Sequence, residues 1–116
     1  VAPLESNLSK QAVASLHAQG DNVSGLFNFG DSEPEALRWG EVVPLSFMRE
    51  WLNHSHTIIL SQPTRRYTES VEMIPELLEF GAHLFNFLEE LPETVLVVIS
   101  SDLAHTHLAS GHSVHT

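Results

Sequence analysis

Asp102 and His105 stand three residues apart in the segment Ser100-Ser101-Asp102-Leu103-Ala104-His105-Thr106-His107. A carboxylate beside an imidazole accepts one ring N–H and raises the basicity of the other nitrogen. General acid–base catalysis uses that arrangement. If a helical turn starts at Asp102, the same carboxylate caps it and faces His105. Spacing alone admits a catalytic pair or a helix cap followed by a solvated histidine. His54 and His56 flank Ser55, a pattern that can chelate a metal from a strand or lie solvated in a turn. His83 falls on a polar helix face and is expected to be exposed. His107, His112 and His115 enrich the C-terminal end, where they could take a transition metal. No cysteine or tight carboxylate cluster specifies a site there. Arg65 and Arg66 could hold a substrate carboxylate or simply offset Glu69 and Glu72. The chain has no cysteine, Gly-rich phosphate loop or nucleophile elbow, so thiolate chemistry is excluded.

Elements must bring these side chains together. Residues 4–19 read as an amphipathic helix with Leu8, Val13 and Leu16 on its apolar side, and Gly20 is its stop. Residues 23–29 read as a short strand and 30–40 as a polar, acidic loop. Pro44 suits the first turn of a helix carrying Leu45, Met48, Trp51 and Leu52. Residues 57–60 read as a buried strand and 61–67 as a loop. The clearest helix spans 75–91, with Leu77, Leu78, Gly81, Leu84, Phe85 and Leu88 on one face. Val95-Leu96-Val97-Val98-Ile99 is a continuous apolar run, typical of a strand covered on both faces. Strand, helix and strand then alternate from 57 to 99. This predicts an α/β layered fold with a mainly parallel sheet and helices on its faces. Strands 57–60 and 95–99 should be parallel neighbours, with the long helix packed across them. Ligands in such sheets bind beyond the carboxyl ends of the strands, where 100–107 would emerge.

The 116 residues suit one domain, and a hydrophobic share of 42% suits a folded core. Fifteen acids against five bases give a formal charge of -10. That excess argues against nucleic-acid and anionic-membrane partners, which select Lys and Arg. No apolar run approaches the ~20 residues of a membrane helix, and no signal peptide is visible, so a soluble, cytoplasmic location is expected. The chain begins at Val1, so a processed protein or a piece of a longer one is expected. Apolar surface beyond what a small monomer can cover predicts a homo-oligomer.

Three segments taken in order carry a resemblance. They are Trp39-Gly40-Glu41-Val42-Val43-Pro44-Leu45-Ser46-Phe47-Met48, Glu72-Met73-Ile74-Pro75-Glu76-Leu77-Leu78-Glu79-Phe80-Gly81, and 100–107 as quoted above. Together they resemble the catalytic, LigB-type subunit of class III extradiol ring-cleavage dioxygenases. The resemblance covers roughly 39–107. It implies a non-haem Fe(II) enzyme that opens catechol-type rings with dioxygen next to one of the two hydroxyls. It implies iron held by two histidines and a glutamate, with His105 as the acid–base histidine and Asp102 beside it. The family's iron histidines lie upstream of the first segment and its glutamate downstream of the last. Here His17 alone precedes Trp39, and no acid follows His107.

A partial LigB-like domain, incomplete in its metal triad and inactive alone, is therefore expected. Two alternatives stand beside it. One is a non-catalytic LigB-like or Memo-like binding protein. The other is a small histidine-rich module that binds a divalent metal such as zinc.

Overall fold

A computed structural model describes residues 5–25, 36–62, 71–101, 106–107 and 113–114. Helix α1 spans Ser6–Ala18, α2 Trp39–Phe47 and α3 Ile74–Glu89, with a 3-10 turn at Val71–Met73 leading into α3. Strands β1, Thr106–His107, and β2, Ser113–Val114, form an antiparallel pair in the register Thr106↔Val114 and His107↔Ser113.

The helix α1 starts where Glu5 accepts the backbone N–H of Asn7 at 3.1 Å. Its end is a Schellman motif. The Gly20 N–H donates to His17 O at 3.0 Å and the Asp21 N–H to Leu16 O at 3.0 Å. Gly20 takes φ +91, which an L side chain adopts only at a cost, so glycine as the stop is met. Helix α2 begins five residues before the position that Pro44 alone suggests. The Glu41 carboxylate reaches back to the Arg38 N–H at 2.9 Å, half of a capping box, and this outweighs the proline cue. Pro44 therefore sits inside the helix. The chain then continues in turns through His54 rather than as helix.

Helix α3 lies within a residue or two of its expected bounds, and it packs against α1. Met73, Ala12 and Leu16 are the buried apolar residues among those described, and Leu16 is the deepest at 2% exposure. Along α3, Phe80, His83, Leu84, Phe87 and Leu88 are half-buried. Of its expected core face, Leu77, Leu78, Gly81 and Phe85 are exposed, and Leu84 and Leu88 are half-buried.

The layered α/β architecture with a mainly parallel sheet is not what the described residues build. They are mainly helical, and their one sheet is the short antiparallel β1–β2 pair. At 57–60 there is a single bridge position, Thr57, whose carbonyl accepts the Glu5 N–H at 3.1 Å. At 95–99 there is no strand, and all five apolar side chains are exposed. A strand exists only through a ladder partner, whereas an apolar run records only a capacity for burial. Among the described residues none supplies that ladder. The expected strand at 23–29 ends in irregular backbone at 23–25, and the remainder lies outside the described residues.

Candidate functional site

The Schellman turn delivers Asp21 to the side of α3. There Nδ1 of His83 lies 2.8 Å from Asp21 Oδ2, a contact between residues 62 apart in sequence. The Asp21 side chain is 9% exposed and that of His83 27%. A carboxylate only accepts, so the ring donates from Nδ1 and Nε2 is the nitrogen left to work. A part-buried carboxylate thus orients an imidazole, the geometry from which proton transfer or metal ligation starts. On the same turn His17 donates from Nε2 to the Val23 carbonyl, which ties the end of α1 to the chain that follows.

His83, expected to be solvated, is instead half-buried and paired. Asp21 was not legible as a site residue. Gly20 marks a helix end, but nothing local says that the next carboxylate will meet a histidine 62 positions on. An open groove of about 660 Å³ lies beside the pair's helices, lined by Ser15, Gln19, Phe85, Phe87, Glu89 and Glu90.

The residues expected to carry catalysis, Asp102 and His105, lie outside the described residues, as do Arg65, Arg66, His112 and His115. His107 lies in β1, paired in register with Ser113. His54 and His56 are both exposed in the turn after α2 and Nδ1 of His56 lies 3.1 Å from Glu5 Oε2. That contact links His56 to the start of α1. Among the described residues, no three His, Asp or Glu side chains gather as a metal site would require. They therefore do not build the iron triad that the resemblance implies.

No protein-family model, curated protein or solved structure matches the chain.

Proposed function

We propose that the chain descends from enzymes that open catechol-type aromatic rings with dioxygen. The observation that carries this reading is the order of three resembling segments, at 39–48, 72–81 and 100–107. The first two of these fall on α2 with its following turn and on the 3-10 turn with the start of α3. The parallel sheet of that family is absent from the described residues, so the reading stands on the segments and not on the fold.

The work assigned to this chain's own residues is proton transfer. Asp102 would accept one ring N–H of His105, and the other ring nitrogen would take the proton of a substrate hydroxyl. Fe(II), or another divalent metal such as zinc, would have to be held by side chains beyond those described. On this reading the 116-residue chain binds Fe(II) weakly and shows no ring cleavage by the yellow-product absorbance assay. Joined to segments that supply two histidines and a glutamate, it gains turnover. In that active form His105→Ala slows ring cleavage by about 10²-fold, the scale of a lost general acid–base group. Turnover unchanged by His105→Ala would remove the assignment.

The open face of α3 favours a second reading, a non-catalytic binding protein. Absence of both iron uptake and ring cleavage from the joined protein would select it.

A further inference from the structure

Along the open side of α3 and the 3-10 turn that leads into it, Val71, Ile74, Leu78, Gly81, Phe85 and Leu88 recur at alternating intervals of three and four residues. That spacing lays one apolar stripe along a helix and is the repeat by which two helices interlock. Val71, Ile74, Leu78, Gly81 and Phe85 are exposed, Leu78 to 71%, and Leu88 is half-buried. The opposite side of the helix is occupied, since Met73 is buried there and His83 meets Asp21. Among the described residues, helix α3 therefore has one partnered side and one seam that none of them covers.

We infer that the seam is a two-fold interface covered by α3 of a second copy of this chain, running antiparallel. Three observations select that occupant. First, the acids stand clear of the seam. Glu72, Glu76, Glu79 and Glu90 all fall on other faces, and Glu89 only borders it. Along the middle of the stripe, from Ile74 to Phe85, a chain of formal charge -10 can thus meet its own copy without opposing carboxylates. Second, the seam is self-complementary in size only when antiparallel. Ile74 then meets the other copy's Phe85, Leu88 meets Val71, and Leu78 enters the notch at Gly81. A Cβ built on Gly81 would touch nothing within 4 Å, so the notch is open. Parallel pairing would instead set Gly81 against Gly81 and Phe85 against Phe85, leaving a void beside a bulge. Third, a hollow of about 380 Å³ lined by Phe85, Leu88, Leu91, Val95 and Val97, and also by Glu89, Glu93 and Thr94, continues the seam at its end. In the antiparallel register the second copy's exposed Val71 arrives at Leu88, beside that hollow.

This interface is independent of the ring-opening reading, and its test reads mass rather than activity. Sedimentation equilibrium across a concentration series should give a dimer of the 12.9 kDa chain. Leu78→Glu should raise the dissociation constant at least about 30-fold, the scale of a lost interface hot spot. Gly81→Leu, which fills the notch, should weaken it in the same direction, and Glu79→Gln, off the seam, should leave it unchanged. Far-UV circular dichroism checks that each variant keeps its helices. Because the chain has no cysteine, orientation can be read by oxidation. A mixture of Ile74→Cys and Phe85→Cys chains should form a mixed disulfide dimer, whereas Ile74→Cys alone should not cross-link. A monomer at every concentration overturns the interface, as does a dimer indifferent to both Leu78→Glu and Gly81→Leu. Cross-linking of Ile74→Cys alone overturns the antiparallel register.

Discussion

Asp21 owes its place to the residue before it. Gly20 at positive φ closes the Schellman turn, and that turn aims the Asp21 carboxylate at His83. With nothing in contact range of a Cβ at Gly20, Gly20→Ala carries a conformational cost of about 1 kcal/mol, and opening the turn adds the loss of the Asp21–His83 contact. Asp21→Ala should cost about 1–2 kcal/mol in urea unfolding, because it strands a part-buried ring N–H. A double-mutant cycle with His83→Ala should show that most of this is shared between the two. At this scale the sequence was informative about types and poor about partners. Glycine as a stop was readable from local chemistry. The Asp21–His83 meeting was not, because its two halves belong to helices whose packing no local pattern encodes. His83 looked solvated since a polar face normally points to water.

Helix α3 shows the same split between period and partner. Its 3.6-residue period located it within two residues of its observed ends. The period did not say which side would be covered, because the sheet expected to cover it does not form among the described residues. The helix instead packs against α1, and its His83 meets Asp21 just past the end of that helix. With Ala12, Leu16 and Met73 the buried apolar residues among those described, this packing has little reserve. Leu16→Ala should therefore cost about 2–4 kcal/mol, enough to abolish the cooperative transition seen by circular dichroism on heating. Helix α2 was misplaced for a related reason. Pro44 and the apolar spacing after it outweighed Glu41, whose reach to Arg38 starts the helix earlier. Proline limits where a helix is comfortable, but a satisfied N-terminus decides where it begins.

The accessible surface of the chain is 10141 Å², against roughly 6,300 Å² for a compact 12.9 kDa monomer. The radius of gyration is 16.3 Å, against about 13 Å for that length. Among the described residues, the exposed α3 seam contributes to that surface. The exposed segment 95–99 contributes as well, and it has a kinetic consequence. It is five apolar residues long, rich in β-branched side chains, uncharged and exposed throughout. That is the composition of a steric zipper, able to stack in register with its own kind and propagate as a fibril. Glu93 and Asp102 flank it at either end as natural gatekeepers. Concentrated protein should accordingly develop thioflavin-positive aggregates after a lag. Val97→Lys, which sets a charge at the centre of the stack, should lengthen that lag at least several-fold while leaving the helical circular dichroism signal unchanged.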